Sequence, residues 1–248
     1  MQNNDDPNSV IDFTEQAERI RNLKKKQEKE QATRTPKEPL FNLPAITKYL
    51  AVAILLPFFV LEIWNIFDPT IKAHAYSYFG FVPARWNGAM DFMFYTPLSL
   101  ITYNFLHGSI LHLLMNGVML LAFGAGLEKF IGGKRMLIIF FIASLAGVMT
   151  HLAFNWGSDS PVIGASAGLS GFFGALIILM QRRNIMGITG KMGLKPFIFI
   201  WVIVSIIFGM MGSPDGSSVA WIAHLGGFFA GMGLMKISYF DPQTDQNI

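Results

Sequence analysis

The sequence has 248 residues, of which 52% are hydrophobic and 14% charged, and its formal net charge is +3. The apolar residues fall in long blocks, which are not typical of a water-soluble domain of this length. The composition therefore predicts a polytopic membrane protein. Cysteine is absent, which excludes disulfides, zinc–thiolate sites and thiol catalysis.

Residues 1–43 precede the first apolar block and are largely charged or polar. The stretch ERIRNLKKKQEKEQATRTPKEP mixes both charge signs with few apolar residues, which is typical of a solvated segment. We therefore expect a cytoplasmic, partly disordered tail, in which Lys24–Lys26 are either solvated or in contact with anionic lipid headgroups. The segment lacks the apolar core of a cleaved signal peptide.

Six apolar segments follow, each near the roughly 20 residues that a helix needs to cross a bilayer. They predict helices at residues 46–67, 109–128, 136–156, 166–181, 196–212 and 219–237. The predicted fold class is therefore an all-α, six-helix membrane bundle over residues 44–240. A short cytoplasmic tail is expected at 241–248.

Basic residues in the connecting loops predict the orientation in the membrane. They follow the second and fourth helices and end the sixth: Lys129, Lys134, Arg135, Arg182, Arg183, Lys191, Lys195 and Lys236. The loops after the third and fifth helices contain no Lys or Arg. Both termini are therefore expected in the cytoplasm, with a bacterial inner membrane as the predicted location. The aromatic loop at 68–106 is expected on the opposite side, partly within the interface.

Four of the polar residues inside the predicted helices, where an unpaired polar group is costly, lie at a similar depth. They are His112, Asn116, Ser166 and His224. At about 1.5 Å per residue they lie roughly 18–24 Å above the cytoplasmic ends, in one layer of a core about 30 Å thick. A serine nucleophile needs a base to take its proton, and His224 could be that base. The oxyanion that forms when the serine attacks needs hydrogen-bond donors, and His112 and Asn116 could supply them. On spacing alone, simple helix packing with a satisfied interior histidine explains these residues equally well.

Small residues recur on the fourth and sixth predicted helices. They are Gly164, Ala167, Gly168, Gly171, Gly174 and Ala175 in one, and Gly227 and Gly231 in the other. Small side chains let membrane helices approach closely, which a serine–histidine pair on neighbouring helices requires.

Three stretches resemble motifs of the rhomboid family of intramembrane serine proteases. HGSILHLLMNGVMLLAFGAGLEKFIGG is similar to its second-helix signature, GASAGLSGFFGAL to its nucleophile segment, and AHLGGFFAG to its histidine motif. The resemblance covers residues 46–240 and implies a six-helix core with a Ser–His dyad and no triad acid. It also implies cleavage of transmembrane substrates within the bilayer, near its outer face, without cofactors or nucleic acid.

The resemblance assigns roles to individual residues. Ser166 would be the nucleophile and His224 the general base, with His112, Asn116 and the Ser166 N–H as oxyanion donors. Glu128 matches a position that the family uses structurally at the cytoplasmic end. The PARW stretch at 83–86 is similar to the family's first loop, which lies in the membrane interface.

Ser170 is a rival nucleophile, because Ala167 stands directly after Ser166 where many relatives have glycine, and because residues 168–171 form a GxSG motif. Ser166 is preferred since GFFGAL keeps the family's spacing from the first GxS motif. Ser170 would then hydrogen-bond the carbonyl of Ser166 one turn earlier.

The remaining polar residues and the other function classes carry weaker predictions. His151 is expected to pack, His74 to be solvated and His107 to orient the loop at the outer interface. No carboxylate or thiolate completes a metal shell around the histidines, so no metal is expected.

An inactive relative that binds membrane proteins, or a small transporter, remains the alternative. The first usually lacks the serine or histidine, and the second needs charged or broken helices near the midplane.

Overall fold

The computed structural model describes residues 13–34, 43–184, 193–211 and 220–240. The chain divides into two compact units, Met1–Asn42 and Leu43–Ile248. In the first unit, α1 (Phe13–Arg34) is a helix whose side chains at 16–27 are exposed. This helix was not predicted from the sequence, although its many Glu, Lys, Arg and Gln residues favour helical backbone. The tail expected at 241–248 lies outside the described residues, and the three-part division of the chain stays a prediction.

Apolar helices form the second unit. They are α2 (Ala45–Asn65), α5 (Ile110–Met119) continuing through a π-helical turn at Leu120–Gly124 into α6 (Ala125–Ile131), α7 (Gly133–Phe154), α8 (Ser166–Arg182), α9 (Lys195–Met211) and α10 (Trp221–Leu234). By length and composition, α2, the continuous α5–α6 helix and α7 can each cross a membrane, and α8, α9 and α10 are shorter apolar helices. The all-α, six-helix prediction is confirmed, and each helix begins and ends within three residues of its predicted bounds.

Helices α7, α8 and α10 pack against one another through glycines. A Cβ at Gly171 of α8 would overlap the side chain of Ala143 on α7, and a Cβ at Gly231 of α10 would overlap the carbonyl of Gly171. A Cβ at Gly147 of α7 would lie 2.7 Å from that of Ala167 on α8. The three backbones are therefore in direct contact, as small residues allow in membrane helices.

Glu128 of α6 holds the N-terminus of α2. Its Oε1 accepts the backbone N–H of Ile46 at 2.9 Å, and its Oε2 accepts the N–H and the hydroxyl of Thr47, both at 2.7 Å. These bonds satisfy N–H groups that lack a partner within the first helical turn. The negative carboxylate is also favourable at the positive end of a helix.

An aromatic cluster connects α9 to the other helices. Phe173 of α8 lies 4.9 Å from Phe123, 4.8 Å from Trp201 of α9 and 5.7 Å from Phe228 of α10, measured between ring centroids. Packed aromatic rings bury large apolar areas and favour tilted arrangements such as these. The cluster thus anchors α9 through its central residues.

The segment between α2 and α5 folds into short helices. They are α3 (Ile71–Phe79), α4 (Ser99–Thr102) and 3-10 turns at Pro83–Arg85, Thr96–Leu98 and Tyr103–Phe105. An isolated antiparallel bridge between Phe81 and Val162 is the single strand-like pairing within the described ranges. It fastens this loop to the residues that lead into α8.

Candidate active site

Ser166 is the first residue of α8, and contacts with the preceding loop fix its position. Gly164, two residues earlier, has φ +113°, a conformation that glycine adopts at little cost. Its N–H donates to the carbonyl of Tyr103 at 2.8 Å. The bridge between Phe81 and Val162 holds the chain two residues further back, with N···O distances of 3.0 and 2.8 Å. The entry into α8 is therefore set by the loop that follows α2.

His224 lies in the first turn of α10, opposite Ser166. Its Nε2 is 2.7 Å from the Ser166 hydroxyl oxygen, and both residues are half-buried. The serine donates in this contact when the imidazole carries its proton on Nδ1. Among the described residues, no carboxylate hydrogen-bonds His224. The contact therefore has the geometry in which the histidine can accept the serine proton.

Gly227 explains why the two helices approach closely enough for this contact. It lies one turn after His224, and a Cβ there would overlap the carbonyl oxygen of Ala167, the residue after Ser166. It would also lie 2.8 Å from the carbonyl carbon of Ala167, which is shorter than an ordinary van der Waals contact. Only glycine fits this position without moving one of the helices.

His112 and Asn116 lie one turn apart on α5. The ring of His112 packs against Gly164, where an added Cβ would lie 2.6 Å from its Nε2. Asn116 is buried, and its Nδ2 donates to the His112 carbonyl at 2.8 Å. An amide nitrogen has two protons, so one remains for another acceptor. The structure therefore brings His112 next to the backbone that leads into Ser166, with Asn116 one turn further along α5.

Ser170, the rival nucleophile, is fully buried in α8. Its hydroxyl donates to the carbonyl of Ser166 at 2.7 Å, the bond expected of a serine that packs within a helix. Of the two serines, Ser166 has the histidine contact. The geometry therefore favours Ser166 as the reactive hydroxyl.

His107 lies in the turn before α5 and packs behind His112. The two rings meet edge-on with centroids 5.0 Å apart, and His107 is 1% exposed. Burial, and to a lesser degree the charge of His112, lowers the pKa of His107 to about 3. His107 is therefore neutral at physiological pH, and its contact with His112 was not predicted from the sequence.

The other two histidines lie away from the dyad. His151 Nδ1 lies 3.4 Å from Nδ2 of Asn155, the residue that follows α7. His74 stacks on Tyr78 with centroids 6.1 Å apart. Across the described ranges, no three His, Asp or Glu side chains are grouped closely enough to hold a metal ion.

The Rhomboid domain family matches residues 95–239, which is more than half of the chain. The chain belongs to the rhomboid family. All four predicted site residues of this rhomboid lie within the matched region, whereas α2 and most of the loop after it lie outside.

Relatives of this rhomboid occur in plants, bacteria and a protozoan. It is 30% identical over 145 residues to "RHOMBOID-like protein 6, mitochondrial" of Arabidopsis thaliana, covering 58% of this chain and 45% of the relative. It is 31% identical over 145 residues to "Rhomboid protease GluP" of Bacillus subtilis, covering 57% and 27%. It is 26% identical over 146 residues to "Rhomboid-like protease 3" of Toxoplasma gondii, covering 58% and 52%. The matches thus span about half or less of each relative's length.

Membership in the family makes this rhomboid a multi-pass membrane protein, and the family includes proteins named as proteases. A mitochondrial plant protein and a bacterial protein are both among the relatives, so the similarities do not select one kind of membrane.

A buried polar network beside the site was not predicted from the sequence. The Tyr103 hydroxyl donates to the Ser144 carbonyl at 2.9 Å, and the Ser144 hydroxyl donates to Asn104 Oδ1 at 2.7 Å. Burial raises the pKa of Tyr103, so its hydroxyl stays protonated and available as a donor. The network joins the loop to α7, and a single serine within an apolar helix carries no sequence motif that would reveal it.

Proposed function

We propose that this rhomboid is an intramembrane serine endopeptidase that hydrolyses peptide bonds of transmembrane substrates. The observation that carries the proposal is the 2.7 Å contact between His224 Nε2 and Ser166 Oγ. A serine is a weak nucleophile until a neighbouring base takes its proton, and this contact supplies that base. The similarity to relatives named as proteases supports the same chemistry.

In the first half of the proposed reaction, Ser166 Oγ attacks the carbonyl carbon of the scissile bond while its proton moves to His224 Nε2. The carbonyl oxygen becomes an oxyanion. Three donors are assigned to it: the Ser166 N–H, the second amide proton of Asn116, and the His112 ring. The Ser166 N–H has no acceptor within its own helix because it opens α8. Donors fixed in place before the reaction stabilise the developing charge.

The tetrahedral intermediate then collapses, the C–N bond breaks, and His224 gives its proton to the leaving amine. This leaves an acyl group on Ser166. A water molecule attacks the acyl carbon while His224 takes one of its protons. Collapse of the second intermediate releases the carboxylic acid and returns the proton from His224 to Ser166.

We further propose that the site opens toward the side of the membrane opposite the termini. Ser166 and His224 lie at the first turns of α8 and α10, whereas the basic residues Arg182 and Lys236 lie at or just after the ends of those helices. Basic residues favour the cytoplasmic face, so the dyad would lie toward the outer face, where water for hydrolysis is available. The bacterial inner membrane stays a prediction.

Cleavage of a model transmembrane substrate, co-reconstituted with the protein in vesicles, tests the proposal. Ser166→Ala is expected to abolish cleavage, because no other hydroxyl contacts His224 among the described residues. The matched control Ser170→Ala removes a hydroxyl one turn away and is expected to keep measurable activity. The reverse pattern would transfer the reaction to Ser170. A wild-type protein that binds the substrate without cleaving it would favour an inactive relative.

A further inference from the structure

Arg85 is a buried cation in the loop between α2 and α5. It ends the 3-10 turn at Pro83–Arg85 and is 8% exposed. Its Nη1 donates to the Tyr95 hydroxyl and its Nη2 to the Ser77 hydroxyl, both at 3.2 Å. Within the part of the chain that the structure describes, no carboxylate forms an ion pair with it. A guanidinium keeps its charge at physiological pH and has five N–H donors, so most of its bonding capacity remains unused by these neutral partners.

The same arginine lines a surface cavity of about 410 Å³, widely open to the outside, in the loop between α2 and α5. The other lining residues are Ala89, Met90, Asp91, Met93 and Tyr95. Among these lining residues, Asp91 supplies a carboxylate, and its side chain is exposed. Arg85 supplies the positive charge. The cavity therefore presents one positive and one negative group that do not neutralise each other by direct contact.

Exposed apolar side chains line the cavity or neighbour its lining residues in the chain. Met90 and Met93, which line it, are 38% and 39% exposed, and Phe92 and Phe94 are 57% and 91% exposed. The Phe94 ring meets that of Tyr95 edge-on at 5.3 Å between centroids. Exposed apolar patches rimmed by polar residues mark interaction sites, and aromatic residues concentrate where a membrane meets water.

We propose that this cavity binds the headgroup of a zwitterionic phospholipid that has a primary ammonium, the phosphatidylethanolamine class. Arg85 donates to the phosphate and Asp91 accepts from the ammonium, while Met90 and Met93 contact the start of the acyl chains. Guanidinium and phosphate match in charge and in geometry. A headgroup that has only negative charge would place that charge near the Asp91 carboxylate with no cation between them. A quaternary ammonium has no N–H that could donate a hydrogen bond to Asp91. The apolar border favours a lipid over a soluble phosphate compound. The inference does not depend on the chemistry of Ser166.

Native mass spectrometry of the full chain in detergent tests this inference. The protein is offered equal amounts of phosphatidylethanolamine, phosphatidylcholine and phosphatidylglycerol with identical acyl chains. The wild type is expected to retain phosphatidylethanolamine preferentially. Arg85→Lys, which keeps the charge but loses the planar fork, is expected to weaken retention of all three lipids by about 10-fold.

Asp91→Asn tests whether the headgroup ammonium is recognised, and the exposed side chain of Asp91 can change without loss of folding. It is expected to lower the preference for phosphatidylethanolamine by about 3-fold, the range of an exposed charge pair. Asp159→Asn, an exposed aspartate in the loop before α8, is the matched control and should change nothing. A preference that persists in Asp91→Asn would overturn the proposal, as would equal retention of phosphatidylglycerol by the wild type.

Soluble O-phosphoethanolamine separates a lipid site from a site for free phosphate compounds. It has the same headgroup charges but no acyl chains to contact Met90 and Met93. It is therefore expected not to displace bound phosphatidylethanolamine at equal concentration. Displacement under those conditions would indicate a soluble ligand and overturn the lipid assignment.

Discussion

Replacing Gly227 with alanine is expected to separate α10 from α8 and to weaken the Ser166–His224 contact. The new Cβ would lie 2.8 Å from the Ala167 carbonyl carbon, whereas ordinary contacts begin at 3.4 Å, so α10 must retreat by at least about 0.6 Å. The dyad distance of 2.7 Å would then rise to about 3.3 Å or more, beyond the length of an effective hydrogen bond.

Two effects follow from this displacement. Overpacking of a tight interface costs about 1–3 kcal/mol of stability. A misplacement of about 1 Å in a catalytic group costs on the order of 100-fold in rate, so kcat is expected to fall between about 10- and 100-fold. A 10- to 100-fold fall in kcat corresponds to about 1.4–2.7 kcal/mol, so the loss of transition-state stabilisation and the loss of stability are of similar size.

Gly233→Ala on the same helix is the matched control, because a Cβ at Gly233 meets nothing within 4 Å. Both variants would be purified in detergent and compared by thermal unfolding midpoint and by kcat and KM on a transmembrane substrate. Gly233→Ala should keep wild-type kinetics and unfold at the same or a slightly higher temperature. A Gly227→Ala protein with wild-type kcat would show that the close contact of α8 and α10 does not set the distance between Ser166 and His224.

Other measurements test the remaining parts of the site and fold. Asn116→Ala is expected to lower kcat by about 10- to 1,000-fold with little change in KM, and an unchanged kcat would mean that this face of α5 only packs. Glu128→Gln, which replaces one of the two oxygens that accept α2 N–H groups with an NH2 donor, should cost about 2–3 kcal/mol, seen as a lower unfolding midpoint than in a Glu128→Asp control. His107 has its folded pKa lowered to about 3 from 6.5, so the unfolded chain binds more protons and stability falls as pH drops below about 6.5, by up to about 1.4 kcal/mol per unit. Unfolding midpoints between pH 5 and 8 should therefore depend less on pH in His107→Gln, and equal slopes would contradict the buried neutral state.

The sequence predicts the helices well because lipid imposes a simple rule on them. Apolar runs near 20 residues must be helical, which sets α2, α7 and α8 to within three residues. The depth of a residue in the membrane follows from the helical rise per residue, so Ser166 and His224 could be expected at one level. The sequence cannot predict that they lie 2.7 Å apart, because the approach depends on contacts between segments distant in the chain.

Local features of the backbone and the loops could not be predicted from the sequence either. The π-helical turn at Leu120–Gly124 lies inside an unbroken apolar run, and hydropathy does not distinguish it from regular helix. Gly164 has its positive φ in the loop between α7 and α8, and Arg85 is buried in the loop between α2 and α5. Short irregular loops lack the periodicity from which helices are predicted.

Chemical labelling of the nucleophile tests the central claim most directly. Purified protein would be treated with a fluorophosphonate, digested, and mapped by mass spectrometry, with His224→Ala as a second sample. If Ser166 is activated by His224, the phosphonyl group is expected on Ser166 in the wild type and is expected to be lost in His224→Ala. A modification on Ser170, or labelling of Ser166 that persists without His224, would contradict the account.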